Sequence, residues 1–464
     1  MLLALALPVA ARKPNYEVVF KIRNGRDTMM LMGYYKLRGN EVLDTAWIDK
    51  KGRFVFRSTS KTMEPGLYFF ANQEGKYVEF VNYGEKPFFT FETEEGDWLA
   101  NMKVKGSEQN EFFYDFHQKD MAITADLDRQ QLLLDSADFA RYRRQRLVEL
   151  DSIKQSLILQ HPGMFLSKMM LFTKENWPPR YKENGDTLTE QEAQEYYMTH
   201  YWDNLSLEND AMMRTPRAVY YDRVMAYFDR WLRYAMPETI IEYVDRYLDM
   251  VRPIPKMYQW SLVTLTQKYL QSNVMVHDAV YVHLVQKYYA ADDNDWSSPS
   301  SIESELTRAN KWERLLVGKE APELILYDTL RIPHSLHALP GKWKLLIFWS
   351  PSCGHCQHII PAVYKIFADH VQQYDLSVFA ILSEPDDKNR KEWKKFLHDK
   401  GMDHPNWVNL DGGEANVDWH DVYDIQSTPQ IYLLDEHNVI QAKKLTDASL
   451  ENVLKALCEE MSQQ

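Results

Sequence analysis

The chain has 464 residues, enough for about three domains of ordinary size. A net charge of −13 excludes the basic footprint of a nucleic-acid binder, and three cysteines are too few for a disulfide scaffold. Hydrophobic residues at 45%, with 28 Tyr and 13 Trp, exclude a largely disordered chain.

The first segment, 1–11, is apolar and too short to span a bilayer. It is expected to be what is left of a secretory signal peptide, with cleavage after Ala11; an unstructured or buried tail is the other reading. No Cys follows it to accept a lipid, and no later segment is apolar enough to be transmembrane.

Residues 12–107 read as a β-rich domain. Val18, Phe20 and Ile22 alternate with Glu17, Val19 and Lys21, and Asn24-Gly25 is a turn signal. Asp49-Lys50-Lys51-Gly52 between Thr45–Ile48 and Phe54–Phe56 predicts a hairpin. Tyr77–Val81 and Phe88–Phe91 are further strands, so a small all-β sandwich or barrel is expected. It carries no catalytic constellation.

Residues 108–313 change to helical periodicity and read as an all-α region. Tyr221, Met225, Phe228 and Leu232 form one stripe, and Ile240, Val244, Tyr247 and Val251 a second. Val280, Tyr281, Leu284, Val285 and Tyr288 form a third. These stripes are expected to be core, with His277 and His283 in structural roles. Trp296–Ser301 is a turn-rich break, and a last helix is expected from about Ile302 to Leu316.

In the remaining third, Leu345–Trp349 reads as a buried strand ending in a Pro-containing turn, followed by Cys353-Gly354-His355-Cys356 and a helical pattern. That order puts Cys353 at a helix N-terminus, where free N–H groups and the dipole favour an anion and lower a thiol's pKa. Cys356, one turn on, can pair with it or resolve a mixed disulfide. A C-x-x-C pair by itself also suits half a zinc site or a structural disulfide. A four-Cys zinc site is excluded by the cysteine count, and haem attachment by Gln357 after the second Cys. Mixed ligation by Cys353, Cys356, His355 and His358 stays open.

From about Val317 the chain resembles thioredoxin, and more closely the TlpA-like periplasmic thiol-disulfide oxidoreductases. The resemblance rests on Trp349 before the dithiol, Pro361 in the helix after it, and Gly318-Lys319-Glu320-Ala321-Pro322 at the domain entry. Gly341-Lys342 and the run Tyr423, Ile425, Ser427-Thr428-Pro429 ahead of Ile431–Asp435 complete it. The resemblance implies an α/β thioredoxin-like fold over 317–464, and so a multidomain chain of β, α and α/β parts. It implies Cys353 and Cys356 as the redox pair, with Trp349, Gly354, His355, Thr428 and Pro429 binding substrate or tuning the thiols. It implies a cis Thr428–Pro429 bond beside Cys353. The β-rich segment is similar to domains that precede thioredoxin-like domains in bacterial envelope proteins.

Two departures stand out. Thioredoxins carry a buried Asp where this chain has Ile347, and some TlpA-like proteins a Glu where it has Ile359. His358, Glu384 or water are then the available proton acceptors for Cys356. Cys-Gly-His-Cys resembles the site of protein disulfide isomerase, and a charged His355 is expected to stabilise the Cys353 thiolate. Cys458 extends an apolar stripe and is expected to be a buried, inert thiol.

The expected protein is thus an exported thiol-disulfide oxidoreductase of the periplasm or cell envelope, with no cofactor. Its partners are protein thiols and disulfides, among them a redox partner in the envelope, and neither nucleic acid nor a membrane span is expected. A binding or scaffold protein with a redox-sensing dithiol, or a copper metallochaperone, are the rival readings.

Overall fold

Tyr16, Val18, Phe20 and Ile22 point to one side of the first strand, and all four are buried in the computed structural model of the protein. The structure describes residues 12–182, 184–291 and 296–462. The expected leader, 1–11, and the side chain of Cys458 lie outside the described residues. Two compact units partition the chain. One runs to Trp231 and adds Val251–Met257; the other takes Leu232–Met250 and everything from Tyr258.

The first unit opens with β1 (Tyr16–Arg23), β2 (Met29–Lys36), β3 (Gly39–Trp47) and β4 (Arg53–Ser58). Then come β5 (Gly66–Ala71), β6 (Tyr77–Asn82), β7 (Phe88–Glu94) and β8 (Lys103–Lys105). They form two sheets, β4-β1-β7-β8 and β3-β2-β5-β6. The sheets meet through aromatic rings. Phe20 of one stacks on Phe70 of the other at 4.5 Å, and Phe91 and Trp98 close around them at their edges. This is a sandwich. The expected hairpin across Asp49–Gly52 is corrected: β3 pairs with β2, while β4 pairs with β1 in the other sheet. The tight turn is present, but it carries the chain between sheets. Alternation specifies which face is buried; it does not specify the partner strand.

Helices α1 (Glu108–Gln131), α2 (Ser136–Gln160), α3 (Phe165–Thr173), α4 (Glu190–His200) and α5 (Tyr221–Arg230) follow. Ser107 caps α1 by accepting the Asn110 N–H. Asn110 then clamps the helix to β6, its carboxamide accepting from Val81 N at 2.6 Å and donating to Val81 O at 2.7 Å.

The second unit holds most of α6 (Pro237–Val251) and α7 (Pro255–Leu270), then α8 (His277–Leu284), a π-turn at Val285–Tyr289, and α9 (Pro299–Glu313). The aromatic stripes are core: Tyr247, Tyr281 and Tyr288 are almost fully buried. His277 bridges Ser272 Oγ and the Arg233 carbonyl, and His283 pairs with Asp245. Helix α9 starts three residues earlier than expected because Ser298 caps it, accepting the Ser301 N–H, with Pro299 at the first position.

Strands β9 (Ile325–Asp328), β10 (Pro333–Ser335), β11 (Trp343–Trp349), β12 (Leu376–Leu382), β13 (Trp407–Ala415), β14 (Gln430–Asp435) and β15 (Ile440–Ala442) make one sheet, ordered β10-β9-β13-β12-β11-β14-β15. Strands β11, β12 and β13 run parallel, and β14 returns antiparallel on β11. Both faces of β11 are covered. Leu345, Ile347 and Trp349 meet α10 (Gly354–Tyr374), while Leu346 and Phe348 face Phe379, Trp419 and Tyr423. Helices α11 (Asp387–Lys400), α12 (Trp419–Val422) and α13 (Asp447–Ser462) complete the α/β fold. Asp278 of α8 anchors the helices to the sheet. It is buried between Lys443 at 2.5 Å and Lys444 at 2.6 Å, just past β15. The architecture is therefore multidomain: a β sandwich, a helical region and a C-terminal thioredoxin-like fold.

Candidate functional site

The ends of parallel strands collect the chemistry. β11 ends at Trp349, β12 at Leu382, and the loop before β14 carries Thr428 and Pro429. Cys353 is the N-cap of α10, with extended backbone (φ −80°, ψ 117°), so the unpaired N–H groups of the first turn open towards its sulfur. No side-chain cap occupies that position. Both thiols are free.

Their surroundings differ. Cys353 is half-buried and Cys356 has 0% exposure. Burial opposes ionisation at Cys353, but the Cys356 backbone N–H, the Cys356 thiol, the Thr428 side chain and the His355 backbone N–H all favour the thiolate, and the net pKa is lowered. In the thiol form Cys353 donates to the Thr428 carbonyl at 3.2 Å. Burial pushes the Cys356 thiol up to about 12, and the neighbouring Cys353 sulfur adds to the rise. The Ser350 backbone N–H and the Thr428 side chain favour its thiolate but are outweighed.

The structure brings most of the sequence-predicted residues together. The Thr428–Pro429 bond is cis, and Thr428 contacts both sulfurs. Gly354 is exposed, with open space where a Cβ would stand, so the approach to Cys353 is unobstructed there. The contact of residue 355 with the Cys353 sulfur is through its backbone N–H; its side chain is exposed. Trp349 does not reach the surface. At 0% exposure it packs under the dithiol with Ile360 and Val363, its ring 5.3 Å from Phe396. It supports the site from within and offers no face to a partner, because it lies on the α10-covered side of β11.

Ile347 is fully buried, and Ile359 packs against the same core. The residues that sequence reasoning missed are Ser350 and Ser352. Ser350 Oγ and Ser352 Oγ both donate to Glu384 Oε2, at 2.8 and 2.7 Å, and lie 2.7 Å from each other. The Ser-Pro-Ser spacing was visible; that the end of β12 would deliver a carboxylate to it was not. Among the described residues no group of three or more His, Cys, Asp or Glu is arranged to hold a metal ion, and no helix is long and apolar enough to cross a membrane.

Residues 317–443 match a family profile described as the AhpC/TSA family, and residues 16–113 match a domain of unknown function, DUF4369. The chain is 30% identical over 124 residues to the thioredoxin-like protein YneN of Bacillus subtilis (strain 168), covering 27% of this chain and 68% of that protein. The chain belongs to the thioredoxin-like proteins. Another relative, the thiol-disulfide oxidoreductase ResA of Bacillus thuringiensis (strain Al Hakam), is 24% identical over 148 residues, 31% of this chain and 80% of that one. A crystal structure of a thioredoxin-like protein from Bacteroides caccae superposes with a TM-score of 0.51. It is 19% identical and covers 61% of this chain and 99% of its own, so the shared fold extends beyond the thioredoxin-like domain.

Proposed function

We propose that the protein is an exported thiol-disulfide oxidoreductase that exchanges disulfides with partner proteins through Cys353 and Cys356. The observation that carries this is the split between the two thiols: one half-buried with a lowered pKa, the other fully buried with a pKa pushed up to about 12. Such a split supports a nucleophilic role for Cys353 and a resolving role for Cys356. The Cys353 thiolate attacks a partner disulfide; one partner sulfur leaves as thiolate and the other is held in a mixed disulfide. Cys356 then attacks Cys353, the internal disulfide forms, and the second partner sulfur leaves. In the opposite direction a partner thiolate attacks the Cys353–Cys356 disulfide. Thr428 and the cis Pro429 border the sulfur and offer backbone groups to an extended partner segment. Gly354 leaves room for that segment.

The location belongs to the same reading: a periplasmic or cell-envelope protein that meets its redox partner there, its leader lost after Ala11. We assign 12–107 as the β-rich domain, 108–313 as the helical domain and 317–464 as the redox domain. The first two serve as scaffold or interaction modules.

Insulin reduction tests the activity. Wild type is expected to reduce insulin, and Cys353→Ser to be inert. Cys356→Ser is expected to hold partners as mixed disulfides that reductant releases. Wild type without activity, or a Cys353→Ser variant that still traps partners, would refute the assignment.

A further inference from the structure

The helices and the sheet of the second unit enclose a cavity of about 210 Å³. Gln271 and Asn273, in the loop after α7, and Trp312 of α9 line it from the helical side. Gln426, Gln430 and Lys444 line it from the thioredoxin-like fold. Gln426 and Gln430 stand two residues on either side of Thr428, so neither backbone is more than about 7 Å from it. The Thr428 carbonyl is in turn 3.2 Å from the Cys353 sulfur. A partner cysteine that reaches Cys353 therefore brings its own sequence neighbours to the edge of this cavity.

The charge in the wall is unbalanced. Lys443 and Lys444 share one carboxylate, Asp278, at 2.5 and 2.6 Å. The Leu315 carbonyl takes a second N–H of Lys443, and the Ser272 carbonyl a second N–H of Lys444. Two ammonium groups on one carboxylate leave a positive charge where little water reaches, since Asp278 is 2% and Lys443 6% exposed. An ammonium has three donors, so Lys444, which lines the cavity, keeps one N–H for a ligand. Gln271, Asn273 and Gln430 can add carboxamide N–H groups. The other acid lining the cavity, Asp424, is already met by donors, the Trp312 indole at 2.6 Å and the Gln426 carboxamide at 3.0 Å. Lys444 and Asp424 both hold left-handed backbone, φ 56° and 48°. Side chains rarely adopt it, and such positions gather where surrounding contacts shape a binding site.

We propose that this cavity is a recognition pocket for an acidic side chain, Asp or Glu, standing within two residues of the partner's cysteine. This rests on the disulfide-exchange reading. The partner carboxylate pairs with Lys444 and restores the charge balance over Asp278. The helical region is then part of the substrate site, through the loop after α7 and through α9.

The test uses the full chain, reduced, and heptapeptides whose central cysteine is joined by a disulfide to thionitrobenzoate. The Cys353 thiolate attacks the peptide sulfur, the bond to thionitrobenzoate breaks, and that group leaves with the electron pair as a coloured thiolate. The residues flanking the cysteine are Asp in one peptide and Asn in the other. Wild type is expected to react about tenfold faster with the Asp peptide, the scale of one hydrogen bond to a charged group. Lys444→Met leaves Asp278 paired one to one with Lys443, and the preference should fall below about twofold. Asn273→Trp, at an exposed position, fills the cavity from the helical side and should lower the preference with Lys444 in place. Lys455→Met removes the same charge from the exposed face of α13 and should keep the wild-type preference. Each preference is a ratio within one protein, so any change in the reactivity of Cys353 cancels. Equal rates for the two peptides in wild type overturn the proposal. So does a preference that survives both Lys444→Met and Asn273→Trp, or one that Lys455→Met also abolishes, which marks overall charge. A wild type that attacks neither peptide overturns the exchange reading itself, and the pocket with it.

Discussion

Proline at position 355 is the substitution whose effect the structure specifies most closely. Residue 355 lies in the first turn of α10, where proline is tolerated because its missing N–H makes no intrahelical bond. Here that N–H is used: it points at the Cys353 sulfur. His355→Pro therefore removes one donor from the thiolate and leaves the helix intact. A hydrogen bond to a charged group contributes about 1.5–3 kcal/mol. The loss raises the Cys353 pKa, because the thiolate loses a donor that the thiol does not need. At pH values where Cys353 is ionised the reduced form is destabilised by the same amount, so the potential there moves to more negative values by about 30–60 mV. His355→Ala keeps the N–H and loses only the imidazole. Equilibration against a glutathione series, with the pH profile of alkylation at Cys353, measures both quantities. An unchanged potential in His355→Pro would refute the reasoning. An equal shift in His355→Ala would assign the effect to the imidazole in place of the backbone.

Three other outcomes are expected. Iodoacetamide at mildly acidic pH should label Cys353 and spare Cys356, as read by peptide mass spectrometry; labelling of Cys356 first would reverse the roles. Asp278→Asn leaves Lys443 buried and unpaired, so unit-two stability should fall by about 3–5 kcal/mol in urea unfolding; a loss under about 1 kcal/mol would mean the charge is not confined as the geometry indicates. Cys356 has a folded-state pKa raised to about 12, above the ordinary thiol value of about 8.5, so its contribution to the reduced protein is fully present below pH 8.5 and lost as pH rises towards 12; Cys356→Ser should flatten that part of the stability–pH curve, and an unchanged slope would count against the shift.

The parts legible in the sequence were those set by local pattern. The alternation at Val18, Phe20 and Ile22, the apolar run of β11 and the proline-containing turn before Cys353 each leave a short-range signature, and the elements formed where expected. What failed was pairing. Nothing local distinguishes a hairpin from a crossover between two sheets, and the turn at Asp49–Gly52 is a crossover. The burial of Trp349 is likewise not legible in its spacing from the dithiol. Its distance along the chain from Cys353 is short, but the parity of β11 turns it towards α10 with Leu345 and Ile347. The Glu384 contact spans two strand ends that are adjacent only because β12 pairs in parallel with β11.

The asymmetry between the thiols follows from what kind of group serves each one. Cys353 owes its stabilised thiolate largely to main-chain N–H groups of its own helix and to the loop at Thr428. Backbone donors are present whatever the side chain, unless the residue is proline, so the nucleophile should tolerate wide variation in the residues around it. Cys356 has the opposite dependence. Its pKa is set first by burial, which the packing residues of the β11–α10 core support. Substitutions near the dithiol should therefore divide by step. Changes to main-chain donors should act on attack and potential, and changes to the packing around Cys356 should act on resolution.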